Sequence, residues 1–120
     1  MINVKDQVYG ALCEKLPGAN VTDAYPKNWV NLPAIQYMEE ENKVAEFTDM
    51  TEYKSFCRYR VDIWDTKSTS GTVLLVDQAL SGLGLKRVQC TDVDDPSGMK
   101  HKLMRYEVII DVETQMTYHE

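Results

Sequence analysis

The chain predicts an α+β fold, with two amphipathic helices packed on one face of a mainly antiparallel sheet with long projecting strands. Three observations predict it. Apolar residues recur with helical spacing in two segments, and clean period-two alternation marks two long ones, 52–64 and 100–113. Strands that follow one another directly are joined as antiparallel hairpins, which leaves the helices to pack together on the sheet. At 120 residues the chain is expected to be a single domain, 1–120. About two thirds of its extended surface should be buried, enough for a core without metal or disulfide staples.

The first helix is expected from about Asn3 to Leu16, where Val4, Val8, Ala11, Leu12 and Leu16 share a face with Cys13 beside them. Asn3 suits the N-cap, and Asp6 suits the first turn, where negative charge meets the positive end of the helix dipole. Pro17-Gly18 ends the helix. Pro26 and Pro33 forbid a central strand between 19 and 33, so a short strand near Val21 leads into an extended, turning segment. Ala34 to Glu39 is expected as a strand with Ile35 and Tyr37 on one face. The acidic, weakly periodic run 39–51 is expected as a long connection that orders on docking. From Glu52, Tyr53, Cys57, Tyr59, Val61 and Ile63 alternate against Lys54, Arg58, Arg60 and Asp62, a half-solvated strand ending at Trp64-Asp65.

Ser68, Thr69 and Ser70 offer capping hydroxyls to a second helix built on Val73, Val76, Leu80 and Leu83. Gly82 and Gly84 are placed to terminate it. Leu85 to Thr91 is the next strand, 92–98 is a turn-rich loop, and the last strand starts near Lys100. At about 3.3 Å per residue the two alternating strands would each run over ~40 Å. A compact globule of this length is ~35 Å across, so these strands should bend or project.

Nineteen acidic residues against thirteen basic ones give a net charge of -6, which disfavours a protein that grips DNA phosphates. No run approaches ~18 apolar residues, so no membrane span is expected, and the charged N-terminus lacks a signal-peptide core. Synthesis in the cytosol is the expectation. Cys13, Cys57 and Cys90 form no C-x-x-C pair and are expected as buried free thiols. Nucleotide-binding loops and paired Cys/His ligand spacings are absent, so neither catalysis nor a cofactor is implied.

The candidate residues point to contacts more than to chemistry. Lys54, Arg58 and Arg60 make a basic stripe on one strand face, with Phe56 and Trp64 interleaved and Asp62 interrupting it. A salt-bridged face or a subunit interface explains such a stripe better than nucleic-acid readout in an acidic protein. Glu39, Glu40 and Glu41 are expected as a solvated loop shoulder or, alternatively, a partner-docking edge; Trp29 suits the core or an interface equally, and Phe47 is a further interface candidate. Trp64 is expected in the core. One alternative is a small metal- or ligand-binding domain using Asp92, Asp94, Asp95 and His101, since alternating acids can hold a divalent cation. Flanked by Lys100 and Lys102, His101 is otherwise expected at the surface. Another alternative is a cellular adaptor that pairs by strand addition.

An ordered set of short motifs resembles the tail terminator, or tail-to-head joining, proteins of long-tailed phages. It begins with Leu16-Pro17-Gly18, Val21 with Tyr25-Pro26, and Leu32-Pro33-Ala34-Ile35. Tyr59-Arg60-Val61-Asp62-Ile63-Trp64-Asp65 follows, with Ser68 opening a helix that ends in Leu83-Gly84-Leu85-Lys86-Arg87. Asp94-Asp95 and His101-Lys102-Leu103-Met104-Arg105-Tyr106 complete the set, which spans about residues 5–118. The resemblance implies a non-enzymatic virion assembly protein at the head-proximal end of the tail, assembled in the host cytoplasm. Its partners would be itself in a homo-hexameric ring, the tail tube protein, and a head connector or stopper protein. DNA would cross the ring without specific binding, helped by a lumen that shares the chain's negative sign.

Overall fold

The apolar stripes predicted around Val8, Ile35, Tyr59, Val76 and Met104 meet on one face of a six-stranded sheet. The computed structural model describes residues 3–48, 51–111 and 117–118, with side chains over 3–45 and 54–111. In order the elements are α1 (Lys5–Lys15), β1 (Asn20–Thr22), β2 (Ala34–Thr48), β3 (Thr51–Asp65), α2 (Ser70–Gly82), β4 (Lys86–Val93), β5 (Lys100–Asp111) and β6 (Thr117–Tyr118). The sheet runs β1-β2-β3-β5-β4, and β6 pairs with β5 beyond the end of β4. Among the described residues only the β1–β2 pair is parallel.

The cap position of α1 is Val4 rather than the expected Asn3, and it makes no side-chain cap bond. The Asn3 Oδ1 accepts the Lys5 N–H at 2.9 Å, and the Ser68 Oγ accepts the Ser70 N–H at 3.3 Å. Thr69, at the N-cap of α2, makes no side-chain cap bond. Gly84 closes α2 at φ 89°, a left-handed conformation that glycine adopts without steric cost.

The core lies between the helices and one sheet face. Val8 and Leu12 of α1 and Val76 and Leu80 of α2 are fully buried against Ile35, Tyr59, Val61, Ile63, Met104 and Tyr106. Two buried phenols tie the layers together. The Tyr59 hydroxyl donates to the Glu39 carboxylate at 2.7 Å and accepts the Val4 N–H at 3.2 Å, pinning the start of α1. The Tyr106 hydroxyl donates to Asp77 of α2 at 2.7 Å, and Arg87 meets the same carboxylate at 3.2 Å. Burial first, and then the carboxylate each donates to, pushes both phenols well above the usual tyrosine range, so both stay donors.

The largest correction concerns 39–51. Through Thr48 this run is not a connection that orders on docking but the outer half of β2, paired with β3. Glu, Asn and Lys are poor strand formers, yet a preformed β3 template supplies the ladder, and propensity yields to pairing. Removing the run would therefore delete half of a strand. Residues 49–50 lie outside the described residues, as do 112–113 at the predicted end of the last strand. The projection itself is present. The molecule measures 51 × 26 × 25 Å with a radius of gyration of 15.2 Å, against ~13.6 Å for a compact chain of this length.

Replacing Tyr59 by Phe takes the phenol donor from half-buried Glu39, and replacing Tyr106 by Phe leaves half-buried Asp77 with Arg87 alone. Each change should cost about 1–2 kcal/mol, seen as a lower urea midpoint with an unchanged slope.

Candidate functional site

Among the described residues no helix covers the second sheet face, and its chemistry follows from register. Arg58 of β3 lies between Glu41 of β2 and Glu107 of β5, and Arg60 lies beside Arg105. The ladder shifts between Glu39 and Glu41, so Glu40 is the extra residue of a β-bulge. A bulge turns consecutive side chains toward one face. Glu39 therefore stays on the core side with Tyr59, while Glu40 and Glu41 both serve the open face. Glu40 takes Arg105 at 2.9 Å, and Glu41 takes Arg58 at 3.3 Å. Arg58 also donates to Glu107 at 2.9 Å, and Arg60 forks onto Asp62 at 2.8 and 3.1 Å. Gln89 of β4 accepts from Arg105 at 2.6 Å. Toward the hairpin, Phe56 sits under the Lys43 ammonium at 5.0 Å and the Arg58 guanidinium at 5.7 Å.

At its other end this face is aromatic. Tyr25, Trp29 and Trp64 meet edge-on or tilted at 5.4–5.8 Å between centroids, and Trp64 stacks on His101 at 4.5 Å. The His101 Nε2 lies 2.7 Å from buried Asp62, and its Nδ1 lies 3.5 Å from Asp95. Trp64 Nε1–H donates to Asp95 at 3.1 Å, and the Ser97 hydroxyl and N–H also donate to it. Hydrogen bonds from Ser97, the hydroxyl foremost, hold the Asp95 carboxyl below its usual range against the opposing pull of burial. The loop between β4 and β5 is thereby fastened to the sheet.

Three sequence expectations change here. His101 is buried, because it faces Trp64 across the β3–β5 ladder rather than lying with its lysine neighbours. Trp64 is buried as expected, but on the face opposite the helices. Only Cys57 of the free thiols is buried; Cys13 is half-buried and Cys90 exposed, since α2 barely reaches β4. The metal reading does not assemble. Asp92 pairs with Lys102 at 3.3 Å, Asp95 with Trp64 and Ser97, and Asp94 stands in solvent. Among the described residues no three His, Cys, Asp or Glu side chains converge as a metal site.

Of the predicted contact residues, Glu40, Glu41, Arg58 and Arg60 come together on the open face, and Lys54 lies on it farther out. Glu39 turns to the core, Trp29 joins the aromatic end, and the Phe47 side chain lies outside the described side chains. Sequence reading missed Arg105 and Glu107, whose alternation within β5 marked them for the same face. No described helix is long and apolar enough to cross a membrane.

Among the described residues both lateral edges of the sheet are open: β1 covers β2 only from Ala34 to Gln36, and no strand pairs with the far side of β4. A groove of about 940 Å³ lies beside β4, between the start of α2 and the β4–β5 loop.

No family model matches the chain, and no curated protein matches it in sequence. Among solved structures it is similar to a chain described as "Virion of native gene transfer agent (GTA) particle". That likeness has a TM-score of 0.53 at 14% identity, over 83% of this chain and 88% of the other. At this identity the likeness is one of fold.

Two predictions follow from the fastened face. Asp62→Ala should cost about 3–5 kcal/mol in urea unfolding, because it strands buried His101 and half-buried Arg60, while Glu41→Ala should cost below ~1 kcal/mol. Asp95 has a lowered folded pKa, so its contribution is present above the unfolded value of ~3.9 and is lost as pH falls through the folded one. The stability gap between the natural protein and Asp95→Asn should therefore hold at neutral pH and close below about pH 4, read from urea midpoints against pH.

Proposed function

We propose that this chain is a structural virion subunit that caps a phage-type tail tube as a homo-hexameric ring and joins it to the head connector. The observation that carries this reading is the pair of open edges on a sheet whose long strands alternate in direction. β2 and β4 run in opposite senses, separated by β3 and β5. In a head-to-tail ring, β4 of one copy therefore meets β2 of the next in antiparallel sense, and a repeated rotation closes the ring. The fold-level likeness to a chain of a gene transfer agent particle supports the same reading.

The open face suits passage of DNA in a way that differs from the expected acidic lumen. Its guanidiniums already hold carboxylates: Arg58 has Glu41 and Glu107, Arg60 has Asp62, and Arg105 has Glu40. A phosphate passing over them releases few counterions and gains little, so binding stays weak.

The test adds isolated tail tubes to the protein, followed by negative-stain imaging and native mass spectrometry of the capped ends. Six copies in a ring at tube ends is the expected result. Tube ends that stay bare at saturating protein would overturn the proposal.

A further inference from the structure

β4 is unusual among the strands in being open on its edge and largely on both faces. Seven of its eight residues are exposed, because α2 makes little contact with it. Of the seven most exposed large apolar side chains among the described residues, three gather here: Leu74 of α2 (65%), Val88 and Val93. Leu74 and Val93 line the groove beside the strand, together with exposed Cys90. An open strand edge, with its unpaired backbone N–H and C=O groups, is a template for another strand.

Charge along this edge says which strand fits. Its start is basic, with Lys86 and Arg87, and its end is acidic, with Asp92 followed by Asp94. Arg87 and Asp92 reach internal partners yet keep half or more of their side chains in solvent. A second β4 laid parallel would set like charges together. Laid antiparallel, it sets each basic start beside the other copy's acidic end, the arrangement that favours cross-strand pairs.

We propose that, without a tail tube, two copies of this chain pair antiparallel along β4 about a two-fold axis at Cys90. Gln89 then faces Thr91 of the second copy, and each Cys90 faces its equivalent on the core side of the joined sheet. A two-fold axis normal to the sheet keeps both α2 helices on one face, flanking the joined strands, so Leu74 of each turns toward the seam. The dimer occupies the edge that the ring needs, so the free protein holds that edge closed until a tube end competes for it.

The experiment uses the full chain alone, free of tubes, which separates it from the test of ring formation. Native mass spectrometry across roughly 1–100 μM should show monomer and dimer in mass-action balance. Mild oxidation should trap the dimer through a disulfide that Cys90→Ser abolishes. Leu74→Glu, at a solvent-exposed site, should leave the thermal melt of the dilute monomer unchanged and weaken the dimer at least about tenfold. Asp94→Lys should also weaken it, and adding Lys86→Glu should restore it. A monomer at every concentration overturns the proposal. So does a dimer that ignores Leu74→Glu and gives no Cys90 cross-link, because the copies then meet elsewhere.

Discussion

A strand of 15 residues, such as β2 or β3, spans about 50 Å, whereas the 13 residues of α2 span about 20 Å. Two short helices therefore cannot clothe two long strands. They cover part of one face, packing Val8, Leu12, Val76 and Leu80 against the sheet, and leave the hairpin, the second face and both edges to be stabilised otherwise. The extended shape of the molecule follows directly from this mismatch.

The open face answers with ion pairs and rings in place of a third layer. Five strands of uncovered backbone and side chains would be an aggregation surface if apolar. Here the middle is a lattice of guanidinium–carboxylate contacts, with most partners half-buried by their neighbours. Single exposed pairs contribute little, but a lattice whose members hold one another in place loses less side-chain entropy per contact. The bulge at Glu40 is what allows two adjacent carboxylates to serve this lattice while Glu39 serves the core. At the aromatic end the same face turns apolar, and Asp62, His101 and Asp95 are buried there because each has a partner across the ladder or from the loop.

Legibility in the sequence tracked how local the deciding interactions are. α1, α2 and the strands with clean alternation could be read from periodicity, because one face of each packs into the core, although β3 and β5 also bury Asp62, Trp64 and His101 on the other face. The outer half of β2 could not, since Glu40, Glu41 and Lys43 are strand residues only by virtue of what β3 places opposite them. His101 was misplaced for the same reason. Its neighbours in sequence are lysines, but its neighbours in space are Trp64 and Asp62, thirty-seven and thirty-nine positions away. The stripe of Lys54, Arg58 and Arg60 was legible as a face, but its acidic complement came from two other strands.

Edges decide how such a sheet assembles. An edge can pair with a different edge or with itself, and the two outcomes differ in symmetry: the first repeats around a ring, the second stops at two copies. β4 has the features of both modes, since it runs opposite to β2 and carries its charges in a self-complementary order. If the chain forms the proposed ring at a tube end, such a competition would be useful to it. A closed edge keeps free copies from polymerising through their sheets, and the dimer need be only weak enough to yield to a template that presents many contacts at once. That balance rests on Leu74, exposed beside β4 and free to change without disturbing the buried face of α2.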